Sequence, residues 1–288
     1  IINLFNKGEL QQALTDSNSM QKEFPNSVIL CNIAGASNAG LMQFEAAIES
    51  YKKALRIMPK YADAYYNMAI ILDDNKDSDA AIESYKQAIK IKPDFAEPYI
   101  NMGIILKDKG DSEAAINCFK QAIKIKPDFA EAQYNLGNIY HNVGQINNAI
   151  EFYSKAIAIK NDYPIAHNNL GQILLELGKL DNAIKHFELA ISFNSNFAEA
   201  HNNLGVAHQQ LRKFDESIKC YKKALMINPS YAQALNNLGI VYQTLGDKNS
   251  AINYYKEAIS IKEDFASAHQ SLSGLKKYTK IDQQVEKM

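Results

Sequence analysis

Glycine and proline are scarce in this sequence. Its 288 residues include 13 glycines and 7 prolines, together about 7% of the chain against a typical ~12%. Because these two residues interrupt regular secondary structure, their scarcity predicts long regular elements joined by short connections. A hydrophobic content of 47% and a charged content of 22% are typical of a folded protein and exclude disorder as the main state of the chain.

Cysteine is rarer still. Cys31, Cys118 and Cys220 are far apart, odd in number, and form neither a CxxC pair nor the spacing of a zinc site. The sequence therefore predicts no metal site and no redox motif, but isolated buried thiols in a reducing compartment. We accordingly expect a cytoplasmic location.

Long hydrophobic runs and an excess of one charge are also missing. No run approaches the roughly 18 apolar residues of a membrane-spanning helix, so we expect no membrane insertion. The net charge of −1 gives no strong positive field, which argues against nucleic acid as a partner. The opening residues lack the ordered regions of a signal peptide, and since the first residue is isoleucine we expect the natural N-terminus to lie upstream.

What the sequence does contain is a repeat of 34 residues. A proline, or a residue in its place, recurs at this spacing: Pro25, Pro59, Pro93, Pro127, Asn161, Ser195, Pro229 and Glu263. If this residue is set as position 32 of a unit, the first full unit begins at Val28. The register holds without insertion, which predicts an array of equivalent structural repeats.

Small and aromatic residues recur at fixed positions of the unit. Positions 20 and 27 are small throughout the full units, and position 8 is small as well: Gly35, Ala69, Gly103, Gly137, Gly171, Gly205 and Gly239. Position 24 is aromatic: Tyr51, Tyr85, Phe119, Tyr153, Phe187, Tyr221 and Tyr255. Small residues let two helix backbones approach closely, and we expect the aromatic side chain to fill the remaining volume.

The unit that begins at Ala96 shows how each repeat is built. Apolar residues three or four apart predict one amphipathic helix over residues 96–109 and a second over about residues 112–126. Asp94 is predicted to cap the first helix at its N-terminus, and Gly110 to end it.

The period, the small residues at positions 8, 20 and 27, the aromatic residue at position 24 and the proline at position 32 resemble the tetratricopeptide repeat (TPR) family. The resemblance implies an all-α fold, an α-solenoid of helix-turn-helix repeats in a right-handed superhelix whose first helices line an inner groove. Asn38 departs from the usual large apolar residue at position 11 and predicts loose packing in the first full unit. The predicted organisation is a partial repeat at 1–27, seven full repeats at 28–61, 62–95, 96–129, 130–163, 164–197, 198–231 and 232–265, and a C-terminal capping helix and tail at 266–288.

Asparagine occupies position 6 in six successive repeats: Asn67, Asn101, Asn135, Asn169, Asn203 and Asn237. Asparagine is unfavourable inside a helix, and its amide carries both a donor and an acceptor, so a row of amides can bind a peptide backbone. First helices ~9–10 Å apart and an extended peptide rising ~3.3 Å per residue would give one asparagine to about three peptide residues.

This row resembles the asparagine ladder in the repeat region of O-linked GlcNAc transferase, where the ladder implies backbone contacts to bound peptide. The last residues of the chain resemble the segment that leads from the repeats into the sulfotransferase-like domain in bacterial TPR-containing proteins. The residues themselves leave a second role open, in which the amides bond to neighbouring helices and hold the repeats together.

The other residues that we expect in the groove are acidic or aromatic. Position 5 changes from Tyr66, Ile100 and Tyr134 to Asn168, Asn202 and Asn236, which predicts an apolar N-terminal half and a more polar C-terminal half. Positions 2, 12 and 13 add eight acids and one lysine: Asp63, Glu97, Glu131, Glu199, Asp73, Asp74, Asp108, Glu176 and Lys107. We therefore expect a neutral or basic extended peptide, bound by the six asparagines with Tyr66, Tyr134, Glu97 and Glu131. The alternative is that these charges are merely solvated.

Three functions follow as hypotheses. The first is a non-enzymatic scaffold for protein–protein interaction. The second is the substrate-recognition arm of a larger glycosyltransferase- or sulfotransferase-like enzyme, and the third is self-association through the ends of the solenoid. The absence of a phosphate-binding loop or a nucleophile motif predicts no catalytic residue and no cofactor. His167, His201 and His269 all occupy position 4, and we expect them to be structural rather than metal ligands.

Overall fold

The computed structural model describes the backbone of residues 1–285 and the side chains of residues 1–275, and all its regular elements there are helices. They fall into two compact units, residues 1–143 and residues 144 onward. The N-terminal unit contains α1 (Ile2–Asn6), α2 (Leu10–Glu23), α3 (Val28–Gly40), α4 (Phe44–Ile57), α5 (Ala62–Asp74), α6 (Ser78–Ile91), α7 (Ala96–Asp108), α8 (Ser112–Ile125) and α9 (Ala130–Asn142). The C-terminal unit contains α10 (Ile146–Ile159), α11 (Pro164–Glu176), α12 (Leu180–Phe193), α13 (Ala198–Gln210), α14 (Phe214–Ile227), α15 (Ala232–Thr244), α16 (Lys248–Ile261) and α17 (Ala266–Val285). The predicted C-terminal tail at 286–288 lies outside the described residues.

Consecutive helices pack in antiparallel-type pairs, as a helix-turn-helix repeat requires. The pairs that make the most extensive contacts are α3 with α4, α5 with α6 and α7 with α8 in the N-terminal unit, and α11 with α12, α13 with α14 and α15 with α16 in the C-terminal unit. Within each unit the first helix of a repeat also contacts the first helix of the next, as α3 does α5 and α11 does α13. The surface formed by these helices is called the first-helix face below. The predicted all-α class and the pairing of helices are confirmed.

The small and aromatic positions form the core of each helix pair. A Cβ atom placed on Gly205 would lie 2.6 Å from Cε1 of Tyr221, and one on Gly171 would lie 2.7 Å from Cε1 of Phe187. Real Cβ contacts are longer than this, so the ring occupies the space that a side chain at position 8 would need. Asn38, the unusual residue at position 11, is buried and donates a hydrogen bond from Nδ2 to Ser50 Oγ at 3.4 Å.

The ends of α7 agree only in part with those predicted from the sequence. Gly110 has a φ of +86° just beyond α7, which confirms it as the residue that ends this helix. The prediction for Asp94 is wrong, because the N-cap of α7 is Phe95 and makes no side-chain cap. Lys92 instead lies over the Phe95 ring at 4.7 Å, a cation–π contact that fixes this turn. The side-chain cap belongs to the second helix, where Asp111 accepts from the Ala114 amide at 3.0 Å.

Each of the three position-4 histidines makes a hydrogen bond to the preceding turn, and in all three turns another residue replaces the repeat proline. Each places its ring Nε2 near the carbonyl oxygen of position 32 in the preceding repeat: His167 with Asn161 at 3.1 Å, His201 with Ser195 at 3.2 Å and His269 with Glu263 at 2.8 Å. A carbonyl only accepts, so Nε2 carries the donated proton. Where position 32 is proline, position 4 is not histidine. The hydrogen bond holds the turn that a proline ring otherwise stiffens.

Candidate functional site

Most of the position-6 asparagines bond to the preceding repeat. In four of them Nδ2 donates to the position-5 side chain 35 residues earlier: Asn67 to Asn32 Oδ1 at 3.3 Å, Asn101 to Tyr66 Oη at 3.5 Å, Asn203 to Asn168 Oδ1 at 3.0 Å and Asn237 to Asn202 Oδ1 at 3.0 Å. Asn101 also donates to Tyr85 Oη at 3.2 Å. Part of this row therefore joins neighbouring first helices.

Asn135 differs from these four asparagines. Its Nδ2 donates to the carbonyl of Glu131, one turn earlier in the same helix, at 3.0 Å. Asn169 accepts from Asn168 Nδ2 on Oδ1 at 3.4 Å. These two side chains are consequently the members of the row whose removal breaks none of the four bonds between repeats.

In the C-terminal unit the amides form a continuous relay. Gln233 donates to Asn237 at 3.1 Å and Asn237 to Asn202 at 3.0 Å. Asn202 donates to Asn203 at 3.3 Å and Asn203 to Asn168 at 3.0 Å. The relay crosses α15, α13 and α11 with one donor direction, and its bonds alternate between a step within a helix and a step between helices. Such chains of hydrogen bonds polarise one another in a low-dielectric interior.

Position 5 is buried between repeats rather than exposed in a groove. Ile100, Asn168, Asn202 and Asn236 are all buried. The expectation that position 5 makes the groove apolar in one half and polar in the other is therefore wrong for these residues. Among them, Asn168 and Asn202 accept the position-6 amide of the next repeat.

One buried position-5 amide of this unit, outside the relay, has an acceptor without a partner. Asn236 is 2% exposed, and its Oδ1 has no hydrogen-bond partner. The following position 6 is Ser271, which lies close enough to Tyr255 for a hydrogen bond that opposes the burial-induced rise of the tyrosine pKa. Serine lacks the side-chain amide with which Asn237 donates to Asn202, and its hydroxyl lies closer to the backbone.

Substituting Ser271→Asn is expected to raise the thermal unfolding midpoint, because the new amide can donate to Asn236 Oδ1. A buried unsatisfied polar group costs about 1–3 kcal/mol, so a gain of about 1 kcal/mol in the free energy of unfolding is expected after side-chain ordering. Ser271→Ala is the matched control, since it removes the hydroxyl without adding a donor. Equal midpoints for the two variants would show that Asn236 gains nothing from a donor at this position.

An acidic cavity lies on the first-helix face of the C-terminal unit. It has a volume of about 430 Å³ and lies along α11, α13 and α15. It is lined by Gln172, Leu175, Glu176, Glu199, Asn202, Asn203, Val206, Tyr231, Gln233 and Asn237. Two carboxylates and no lysine, arginine or histidine belong to this lining. Burial raises the pKa of Tyr231, and the negative charge of Glu199 raises it further.

The predicted residues of the N-terminal unit also come together. Tyr66 is half-buried, its ring lies 4.9 Å from that of Phe95, and its hydroxyl accepts from Asn101. Burial raises the pKa of Tyr66, and the charges of Glu97 and Glu131 add to the rise, so both carboxylates act on this hydroxyl. Glu131 is exposed, whereas Glu97 and Tyr134 are half-buried.

Sequence reasoning missed Gln172, Gln233 and Tyr231 in the C-terminal cavity. The first two were visible in the pattern, because positions 2, 6, 9 and 13 are spaced to share one stripe of a helix. Tyr231 occupies position 34, in the turn before α15. Other repeats also carry an aromatic residue at this position, and the sequence gives no sign that this one borders a cavity.

Other chemistry is not assembled in the described residues. No group of histidine, cysteine, aspartate and glutamate side chains within residues 1–275 could hold a metal ion. Cys31 and Cys118 are buried and Cys220 is half-buried, and burial raises the pKa of all three thiols. None of the helices between residues 1 and 285 combines the length and hydrophobicity that crossing a bilayer requires.

Solved structures with a similar fold include a protein described as a TPR protein. YrrB, described as a TPR protein with an unusual peptide-binding site, is 24% identical over 66% of this chain and 98% of its own, with a TM-score of 0.56. A chain of the APC/C heterotetramer Cut9–Hcn1 is 18% identical over 92% of this chain and 52% of its own, with a TM-score of 0.67. MamA is 28% identical over 59% of this chain and 93% of its own, with a TM-score of 0.52. Comparison with curated protein sequences gives no match.

Family models match most of the repeats that the 34-residue period defines. The model described as TPR repeat matches residues 43–76, 103–144, 137–178 and 171–212. Two models described as tetratricopeptide repeat match residues 62–95 and 196–264. Together with the paired helices and the small and aromatic core, these matches show that the chain belongs to the tetratricopeptide repeat family.

Proposed function

We propose that this chain is a protein-interaction scaffold that binds an extended segment of a partner protein along its first-helix face. The observation that carries the proposal is the amides and carboxylates on this face, which in the C-terminal unit line the acidic cavity. A stripe of amides and carboxylates offers donors and acceptors at regular intervals, as a peptide backbone needs. The neutral or basic character of the segment follows from the carboxylates.

The asparagines divide into two roles in this proposal. Asn203 and Asn237 hold neighbouring first helices together, whereas Asn135 and Asn169 take part in none of the four bonds that join position 6 to position 5 of the preceding repeat. YrrB is described as having a peptide-binding site. Its similar fold supports a peptide as the ligand of this chain.

The double substitution Asn135→Ala and Asn169→Ala is expected to lower peptide affinity while leaving the thermal midpoint unchanged. Each neutral hydrogen bond contributes about 0.5–1.5 kcal/mol, so two of them correspond to a loss of about 10-fold in affinity. Peptides would be selected from a random library on the wild-type chain, and their affinities compared on the variant.

Asn203→Ala is the matched control. It removes the bond to Asn168 Oδ1, a buried acceptor, and is expected to lower the thermal midpoint. Unchanged peptide affinity in the double variant, or a fall in its midpoint equal to that of Asn203→Ala, would show that all six asparagines are structural.

The two other hypotheses predict different results. A recognition arm of a larger glycosyltransferase- or sulfotransferase-like enzyme would select peptides that the full-length enzyme modifies. Self-association through solenoid ends would give a molar mass by light scattering that rises with protein concentration.

A further inference from the structure

A groove in the C-terminal unit is lined mainly by the second helices of two successive repeats, α12 and α14. It consists of two adjoining cavities of about 330 and 640 Å³ that have lining residues in common. Both volumes lie within the range of about 300–1,000 Å³ that ligand pockets occupy. We call it the α12–α14 groove and define it by Ile191, Leu204, Lys219, Cys220, Lys223 and Met226.

A small residue at position 23 leaves this groove open. In the preceding repeat position 23 is His186, whose Nδ1 lies 3.0 Å from Nδ1 of His167 at position 4. In the next repeat position 4 is again a histidine, His201, but position 23 is Cys220. Both His201 and Cys220 line the groove. Because a thiol occupies less volume than an imidazole ring, the space that a ring fills one repeat earlier is empty here.

Two lysines without an ion-pair partner lie along the groove. Lys219 and Lys223 occupy positions 22 and 26, one turn apart on α14. In the repeat that begins at residue 130, the same two positions form an ion pair between Glu151 and Lys155. Neither Lys219 nor Lys223 takes part in an ion pair among the described residues. Glu188 is the one carboxylate of the lining, so two lysines against one glutamate make it positive.

The walls between these lysines are apolar. Ile191 is half-buried, Leu204 is buried, and Met226 is 72% exposed at the end of the groove. Methionine is flexible and is common on adaptable binding surfaces. Lys219 and Met226 are seven residues apart on one helix, which corresponds to about 10 Å. A ligand that contacts both must span the length of about three extended peptide residues.

We propose that the α12–α14 groove binds an acidic segment of a partner protein through one large apolar side chain flanked by aspartate or glutamate. The apolar side chain enters beside Cys220, and the flanking carboxylates pair with Lys219 and Lys223. Like charges one turn apart disfavour a helix, so a bound carboxylate also removes a repulsion on α14. This ligand is opposite in charge to the one proposed for the first-helix face, and the inference does not depend on that function.

The test selects peptides from a random library on the wild-type chain and measures each of them on Cys220→Phe. Position 23 is phenylalanine at Phe152, so the repeat accepts this ring, which fills the groove beside Leu204. Peptides with a large apolar residue flanked by acids are expected to lose affinity about 10- to 100-fold, because burial of that residue is lost. Peptides that depend on Asn135 and Asn169 should bind Cys220→Phe like the wild type.

A second variant, Lys219→Gln with Lys223→Gln, keeps the groove open and removes its positive charge. Affinity of the acidic peptides, measured by fluorescence anisotropy at low salt, is expected to fall about 3- to 10-fold, since exposed ion pairs are individually weak. The difference should shrink at about 1 M salt, where charges are screened within about 3 Å. The matched control is Lys86→Gln with Lys90→Gln, which changes two exposed lysines one turn apart on α6 and should leave affinity unchanged.

Two results would overturn the groove while leaving the first-helix face untouched. One is a selection in which no peptide loses affinity on Cys220→Phe. The other is a set of acidic peptides that bind the variant of Lys219 and Lys223 as tightly as the wild type, a result that does not depend on the folding of Cys220→Phe. A molar mass by light scattering that rises with concentration for the wild type, but not for Cys220→Phe, would overturn the partner segment in favour of a second copy of the chain.

Discussion

Replacing Tyr221 with alanine is expected to lower the free energy of unfolding by about 3–5 kcal/mol, the usual cost of removing a large aromatic side chain from a core. The ring is fully buried on α14 and packs with Leu238 and Val241 of the next repeat. Gly205 cannot fill the resulting cavity, because it has no side chain. Chemical denaturation followed by circular dichroism would measure the change.

Tyr221→Phe is the control for this prediction. It keeps the ring and removes a hydroxyl that donates to Gln209 Oε1 at 2.7 Å, so the expected loss is about 1 kcal/mol. Phe187 fills the same position in the preceding repeat, which shows that the site accepts the ring without the hydroxyl. An alanine variant as stable as the phenylalanine variant would contradict the proposed core.

Acid is expected to destabilise the C-terminal unit between pH 6.5 and pH 4 through a pair of histidines, His167, which is buried, and His186, which is half-buried. The Nδ1 atoms of His167 and His186 are 3.0 Å apart. Since His167 Nε2 donates to the Asn161 carbonyl, its Nδ1 accepts and His186 donates. Protonation of His167 would place two N–H groups against each other.

The direction of the effect follows from the pKa values. Burial, together with the smaller effect of the neighbouring charges of His167 and Lys185, lowers the pKa of His186 to about 4. Burial also lowers the pKa of His167. The unfolded chain, with a histidine pKa of about 6.5, therefore binds more protons than the folded chain in this range, and stability falls as pH falls.

Denaturant midpoints measured from pH 7 to pH 4 would check this pH dependence. His186→Phe is the comparison, because phenylalanine occupies the same position of the preceding repeat at Phe152. The variant is expected to show a smaller loss of stability in this range than the wild type. Parallel curves for the two proteins would assign the acid sensitivity to other groups.

The sequence predicted the repeat well because its signals are local or strictly periodic. Gly110 ends α7 through its own backbone freedom, and Gly205 faces Tyr221 because positions 8 and 24 recur together. Asp94 was misassigned because the turn places Phe95 at the helix start, and one residue decides a cap.

The candidate site was predicted less well, and Asn202 shows why. At position 5 it was expected to bind a partner in the groove; it does border the cavity on the first-helix face, but it is largely buried and accepts from Asn237, 35 residues later. Adjacent residues of an α-helix lie little more than a quarter of a turn apart. The repeating pattern alone therefore cannot tell which of positions 5 and 6 faces the groove.

The sequence by itself determined the 34-residue period, the two helices of each repeat and the small and aromatic residues between them, because each depends on contacts within one unit. The tertiary structure alone decided which amides join neighbouring repeats, that Asn236 Oδ1 is buried without a partner and which carboxylates line a common cavity. Those features depend on side-chain directions across two helices, and a hydrogen bond is sensitive to distances of a few tenths of an ångström that no spacing in the sequence specifies.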